Sequence, residues 1–202
     1  MTAKVAVIYY SSTGNVHALA QAVAEGAAKA GAEVRLRRVP ELAPAQAIDS
    51  NPAWRAHLDA TADVEIATHE DLQWADAYAF GTPTRYGNVA AQLKQFLDGT
   101  GQLWFSGQLS NKAATAFTSA SNIQGGNEST VLALYNTMHH WGCLTVPPGY
   151  TDPVVFAAHG NPYGTGMVGS ADGPGEQVLA AANYQGHRLA TISAQLLRGA
   201  AA

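Results

Sequence analysis

Three short segments concentrate the side chains that could do chemistry. The first is Ser11-Ser12-Thr13-Gly14-Asn15, where three hydroxyls and a glycine stand directly before a helical pattern. A helix N-terminus offers free backbone N–H groups and a positive dipole end, and hydroxyls add neutral donors. Together they make a phosphate site without lysine. The same residue types also serve as helix caps, so the segment alone supports either reading. The segment matches neither the P-loop motif G-x-x-x-x-G-K-[ST] nor the dinucleotide fingerprint G-x-G-x-x-G. The second segment is Gly81-Thr82-Pro83-Thr84-Arg85-Tyr86-Gly87-Asn88. Two glycines and a proline fix an unusual backbone path, Tyr86 offers a flat face and Arg85 a charge, which suits a loop that binds a ring or a tight turn. The third, Thr118-Ser119-Ala120-Ser121-Asn122-Ile123-Gln124-Gly125-Gly126-Asn127, is small and polar, able to bring backbone donors and acceptors to the edge of a heterocycle.

Other chemistries find no constellation. Cys143 is the sole cysteine, which excludes an internal disulfide framework and a cysteine-built zinc site. It sits in a strand pattern and reads as a small core residue. No G-x-S-x-G elbow occurs, His69-Glu70 does not extend to H-E-x-x-H, and the scattered histidines predict no metal. His139 and His140 close a helical stretch, where cationic side chains suit the dipole. Trp54, Trp74 and Trp141 read as packing residues.

The elements that must position these segments alternate between strand and helix. Residues 4–10 (KVAVIYY) are continuous, apolar and β-branched, as in a strand buried on both faces. Residues 15–30 follow with apolar positions at helical spacing and Gly31 as a stop. Residues 33–39 alternate like a strand nearer an edge. Strands are predicted at 75–81, 113–119 and 143–146, and helices at 89–98, 128–140 and 176–197. Five strands with intervening helices predict an α/β fold, a doubly wound parallel sheet. Ligands in such sheets bind beyond the carboxyl ends of the strands, where the three segments lie. No composition shift divides the chain, so residues 1–202 read as one domain. Two long insertions stand out, at about 40–74 and 147–175. The first is expected to hold short helices near 54–60 and 69–74; the second reads as a largely irregular excursion.

Composition narrows the classes further. Charged residues are only 13% of the chain against roughly 25% in an average soluble domain. The longest apolar run falls far short of the roughly 20 residues a membrane span needs. The start, Met-Thr-Ala-Lys, runs straight into a strand with no signal peptide, and the expected location is cytoplasmic. A net charge of −4 provides no footprint for nucleic acid.

The three segments, SSTGN, GTPTRYGN and SNIQGGNES, resemble the FMN-binding loops of the WrbA family. Its members are flavodoxin-like NAD(P)H:quinone oxidoreductases, historically called tryptophan-repressor-binding proteins. FLDGTGQLW (residues 96–104), MHHWG (138–142), NPYG (161–164) and YQG (184–186) extend the resemblance over almost the whole chain. The resemblance implies a flavodoxin-like sheet of five strands in the order 2-1-3-4-5, FMN as cofactor and NADH or NADPH as electron donor. It implies two-electron, ping-pong hydride transfer by way of flavin N5 to a quinone, and a homotetramer built as a dimer of dimers. Ser11, Ser12, Thr13, Gly14, Asn15 and Val16 would cradle the FMN phosphate. Pro83, Thr84, Arg85, Tyr86, Gly87 and Asn88 would border the isoalloxazine ring. Ser119, Ala120, Ser121, Asn122, Ile123, Gln124 and Gly125 would hold its polar edge. His139 would sit at the pyrimidine end as a catalytic residue that stabilises the reduced ring. Trp104 would border the nicotinamide and quinone pocket across a subunit contact. Thr13, where many relatives carry an aromatic, would face the same substrates. The alternative is a one-electron carrier of the flavodoxin type, although such carriers dock through strongly acidic surfaces and this chain is weakly charged.

Overall fold

The computed structural model describes residues 2–200. Strand β1 (Lys4–Tyr9) lies between β2 (Glu33–Arg38) and β3 (Ala77–Arg85), all parallel. Beyond β3, past the two-residue β4 (Asn88–Val89), come β5 (Ala113–Ala120) and β6 (Leu144–Thr145), again parallel. The sheet order is β2-β1-β3-β5-β6, which is the expected 2-1-3-4-5 when only the main strands are counted. Two short strands bring the total to seven. Strand β4 folds back antiparallel on the end of β3, and β7 (Gly166–Val168) runs parallel beside the end of β5.

Alternation along the strands feeds two apolar layers. Ala6, Ile8, Tyr78, Phe80, Ala114 and Ala116 face one side. There they meet α4 (His69–Trp74), α5 (Ala91–Asp98) and α7 (Asn127–Trp141), with α6 (Gly101–Phe105) beside them. Trp141 is buried edge-on against Phe80 and Tyr78, at 5.9 and 6.2 Å between ring centroids. Val5, Val7, Tyr9, Ala77, Ala79 and Phe117 face the other side, toward α1 (Asn15–Lys29) and α9 (Glu176–Ala200). Cys143 is buried in the first layer, and burial pushes its thiol up to about 12, as befits a core residue.

The insertion after β6 departs from the irregular excursion expected. It carries a short helix, α8 (Pro153–Ala157), and then returns to the sheet as β7. Strand β6 pairs with Ala113 and Ala114, and β7 with residues 118–120 of the same strand. The edge strand is therefore split in two, with the insertion looping out between its halves. The resemblance motifs explain the return. A Cβ on Gly164 of NPYG would stand 2.1 Å from the Ala116 carbonyl oxygen, so only glycine passes there. In YQG, the Gln185 side chain accepts from the Thr165 N–H at 2.8 Å. It also donates to Thr115 Oγ1 and to the Ala116 carbonyl at 2.7 and 2.8 Å, clamping α9 to β5 from a fully buried position.

The first insertion contains the two expected helices, α3 (Pro52–Ala60) and α4, and one that the pattern missed, α2 (Ala45–Asp49). Asn51 caps α3 through its side chain, with proline at the first helical position. Helix α3 leans on α1 through His57 and His17, whose rings lie 5.5 Å apart, and the Tyr9 hydroxyl meets His17 Nδ1. Burial, then the neighbouring His17 and Arg38, lowers His57 to about 4; burial lowers His17 as well. Both imidazoles are neutral at pH 7.

Helices α1 and α9 touch backbone to backbone. A Cβ on Gly26 would lie 1.8 Å from the Asn183 carbonyl oxygen, and one on Gly186 would lie 1.9 Å from that of Val23. Gly186→Ala is therefore expected to cost about 2 kcal/mol in urea unfolding, because packed helix backbones have to part. Gly199→Ala, on the same helix with open space around it, should be neutral or slightly stabilising. A second expectation concerns acid. The unfolded chain binds a proton at His57 near pH 6.5 and the folded chain only near about 4, so stability falls as pH drops through that window. With screening of a partly exposed ring, the loss is about 1–2 kcal/mol. Urea midpoints at pH 7 and 5 should converge in His57→Gln relative to wild type.

Candidate functional site

The carboxyl ends of β1, β3 and β5 open onto a cleft of about 500 Å³, within the range of small-molecule sites. Its floor is the first segment. Gly14 adopts φ 99°, a left-handed turn that frees the chain to enter α1 directly, and its N–H donates to Ser11 Oγ at 3.1 Å. No side chain caps α1. Between the two readings of Ser11-Ser12-Thr13, the capping role is thus the one not used. Ser12, Thr13, Asn15 and Val16 line the cleft instead, with the unpaired first-turn N–H groups of a 15-residue helix behind them. Asn15 also reaches across to the second insertion, where its Oδ1 accepts from the Ser170 N–H at 3.2 Å.

The second segment is not a loop after β3 but the end of β3 itself. The strand runs on to Arg85, reverses at Tyr86 (φ 54°) and Gly87 (φ 76°), and returns as β4. Two consecutive positive-φ residues form the tight hairpin that right-twisted strands prefer. Holding a tyrosine there costs about 1–2 kcal/mol and leaves its ring wholly in solvent. Pro83, Thr84 and Arg85 line the cleft, whereas Tyr86, Gly87 and Asn88 form the hairpin beyond it. Thr84 Oγ1 braces the turn, accepting from the Gly87 N–H at 3.1 Å and from the Thr130 hydroxyl at 2.7 Å. The Arg85 guanidinium reaches Ser12 Oγ at 3.5 Å, joining the first two segments, and it is the cleft's charged side chain.

The third segment divides. Ser119, Ala120 and Ser121 line the cleft. The chain then turns at Asn122, whose carbonyl accepts from the Gly125 N–H at 2.9 Å, and moves away so that Gly126 (φ 98°) can start α7. Ile123 and Gln124 front a neighbouring depression of about 440 Å³, with Asn161 and Val168 on its far side. The hairpin and the turn touch: a Cβ on Gly126 would come within 2.8 Å of Gly87 Cα.

His139 and Trp104 are not brought to this cleft within one chain. His139 is exposed in the last turn of α7, thirteen residues from Gly126, or about 20 Å along the helix. Trp104 lies beside it in a separate depression with Leu97, His140 and Trp141, half exposed, its indole N–H donating to the His140 carbonyl at 2.8 Å. The two side chains share one end of α7, and the cleft lies at the other.

Two stretches of the wall escaped the sequence reading. Asn51 and Ala53 come from the start of α3, and Gly169, Ser170 and Ala171 follow β7. The Asn-Pro pair at 51–52 was a legible helix start. Nothing local marks residues 169–171, which are placed by the pairing of β7 with β5 and by the Gly169 N–H bond to the Ala120 carbonyl at 2.7 Å.

The residues present fit a flavin mononucleotide. An uncapped helix start, free hydroxyls and one arginine suit a phosphate dianion, and the cleft continues over the carboxyl ends of β3 and β5. Comparison with known proteins agrees. The profile of a family described as NADPH-dependent FMN reductase matches residues 3–152. A Deinococcus radiodurans protein named NAD(P)H dehydrogenase (quinone) is 46% identical, over 96% of this chain and 97% of that one. A protein of the same name from Geotalea uraniireducens is 42% identical, over 96% and 100%. The fold is shared with a WrbA-like flavodoxin from Agrobacterium tumefaciens (TM-score 0.67, 24% identity, 96% and 99% covered). It is shared also with oxidised Flavodoxin 1 from Bacillus cereus (TM-score 0.58, 15% identity, 92% and 96% covered). The chain belongs to this flavodoxin-like FMN reductase family, alongside the NAD(P)H dehydrogenases (quinone).

Proposed function

We propose that the protein is an FMN-dependent NAD(P)H:quinone oxidoreductase. It passes two electrons and a proton from NADH or NADPH to a quinone, with one further proton taken from solvent, to give hydroquinone and NAD(P)⁺. The observation that carries the reading is the uncapped start of α1 under an open cleft, in a chain this similar to proteins named for that activity. When bound, FMN would supply the hydride-transfer chemistry. The chain's own part is binding, orientation and electrostatics. First-turn N–H groups of α1 and the hydroxyls of Ser11, Ser12 and Thr13 would hold the phosphate, and Arg85, which the resemblance sets at the ring, would also serve this end, since its guanidinium reaches Ser12 Oγ. Pro83 and Thr84 would border the ring on one side, with the β4 hairpin beyond them. Ser121, just past the end of β5, would offer donors where negative charge develops. The donor and the quinone use the same open side in turn, so kinetics are ping-pong.

Assembly belongs to the same reading. His139 and Trp104 can reach a cleft only from another subunit. Trp104, Phe105 and the stacked Tyr150–Phe156 pair leave apolar rings on the surface, as a subunit interface needs. A homotetramer, working in the cytoplasm, meets both points.

Purified protein with FMN is expected to bleach in a single two-electron step on anaerobic addition of NADH or NADPH, and to turn over benzoquinone. Failure of both donors to reduce bound FMN, with stepwise one-electron reduction by dithionite, would make the protein a carrier instead. Gly14→Val should raise the FMN Kd at least about a hundredfold, since a β-branched residue cannot hold φ 99°; an unchanged Kd would contradict the phosphate assignment. Trp104→Ala should slow reduction by NAD(P)H while leaving FMN binding near wild type, and equal loss of both would reduce Trp104 to a packing role.

A further inference from the structure

We propose that Glu41 is a positioning residue for the phosphate end of the cofactor, holding α3 so that Asn51 and Ala53 wall the cleft opposite the start of α1. The inference rests on the FMN reading above and deepens it.

Glu41 belongs to no helix or strand, yet its carboxylate gathers five hydrogen bonds. Oε2 accepts from the Tyr10 hydroxyl at 2.8 Å and the Trp54 indole N–H at 2.9 Å. Oε1 accepts from the Gln92 amide at 2.7 Å and from the Leu42 and Ala43 N–H groups, each at 2.9 Å. That exhausts the roughly four lone-pair sites of a carboxylate. Burial alone would raise its pKa, but these donors outweigh burial and hold it below the usual carboxylate range. The group is a permanent anion at neutral pH.

The partners explain its purpose. Tyr10 directly precedes Ser11, the first residue of the phosphate segment. Trp54 sits in the first turn of α3, next to Ala53. Glu41 therefore ties the two walls of one cleft through a single side chain. Helix α3 has little else to fix it, because none of its residues is fully buried. Its apolar driving force is small, and its other tie to this region is the His17–His57 contact. The space enclosed by Tyr10, Ser11, Glu41, Trp54 and His57 retains only about 10 Å³, room for no more than one water, so the tie has no slack. At the far end of the tie, Asn51 Oδ1 accepts from the Ala53 N–H at 3.1 Å and the Trp54 N–H at 3.4 Å. The Asn51 amide group is left as a donor for a ligand in the cleft.

The test compares FMN with riboflavin, which lacks the phosphate. Dissociation constants are read from quenching of flavin fluorescence for wild type, Glu41→Gln, Trp54→Phe and the double variant, with circular dichroism and Tm confirming the fold. Trp54→Phe keeps a six-membered aromatic ring and removes the N–H donor together with the five-membered ring; Tm and the riboflavin control separate lost packing from the lost bond, so it carries the test even if Glu41→Gln does not fold. Either single variant is expected to weaken FMN about tenfold and riboflavin less than about twofold. Because the two positions share the Glu41–Trp54 hydrogen bond, the double variant should weaken FMN by less than the product of the two single effects. Unchanged FMN affinity in folded Trp54→Phe overturns the proposal, and so does equal weakening of FMN and riboflavin, the signature of general loosening. Wild-type protein that binds no FMN overturns the FMN reading itself, a result separate from any behaviour of the variants.

Discussion

The constraint on which the rest depends is the unsatisfied start of α1. A helix exposes its first N–H groups and their partial positive charge, and ordinarily a side chain covers them. Here none does. Leaving them open demands that the chain turn from strand to helix without a capping residue, and the left-handed Gly14 achieves this. It demands also that α1 be held firmly enough not to fray. The close backbone contact with α9 at Gly26 and Gly186 does that, and the buried Gln185 locks α9 to β5 in turn. The core on that face of the sheet is organised around keeping one helix end bare.

On the proposed reading, a phosphate held mostly by neutral donors would also restrain its surroundings. A nearby lysine would serve equally well for charge but would be strongly hydrated and flexible. The cleft instead has one arginine at its rim and two neutral histidines behind its floor. His17 and His57 fill space between α1 and α3 as uncharged rings, so the helix dipole and Arg85 act on the cleft without competition at neutral pH. The low charge of the chain is thus in part a property of the site. The rest follows from a parallel sheet buried on both faces and from helices lined with alanine.

What was legible in the sequence was whatever is encoded locally. Residues 4–9 announce a doubly buried strand by an unbroken apolar run, and Gly14 before a periodic segment announces a turn into a helix. The doubly wound parallel sheet followed from the alternation of elements, and its strand order from the resemblance. What failed needed partners distant in sequence. Gly166, Met167 and Val168 are a strand only because β5 offers them an unpaired edge. Tyr86 concealed a hairpin, since a tyrosine at positive φ runs against every local preference. The places the resemblance gives His139, at the pyrimidine end, and Trp104, across a subunit contact, are not built within one chain, where both residues lie at the other end of α7 from the cleft. Glu41 was silent for the same reason as β7: its partners stand 31, 13 and 51 residues away, and no local pattern marks it.

The insertions resolve how the extra length is used. A parallel sheet delivers loops to its carboxyl edge from β1, β3 and β5, and these can floor a cleft and close one long side. The flank beyond α1 stays open to water, where a phosphate bound by neutral donors would exchange readily. The two insertions approach the cleft from different edges of the sheet, the first through α3 after β2 and the second through β7 beside β5. Residues 40–74 contribute Asn51 and Ala53, and the segment that splits the edge strand contributes Gly169, Ser170 and Ala171, tied back to Asn15. Neither brings a charged side chain into the lining. Ordering so many loop residues costs conformational entropy that few buried apolar contacts offset. Polar anchors carry the load instead, Glu41 for one insertion and Asn15 with Gln185 for the other. Their hydrogen bonds place the walls, and the walls in turn protect the bare helix end from which the site is built.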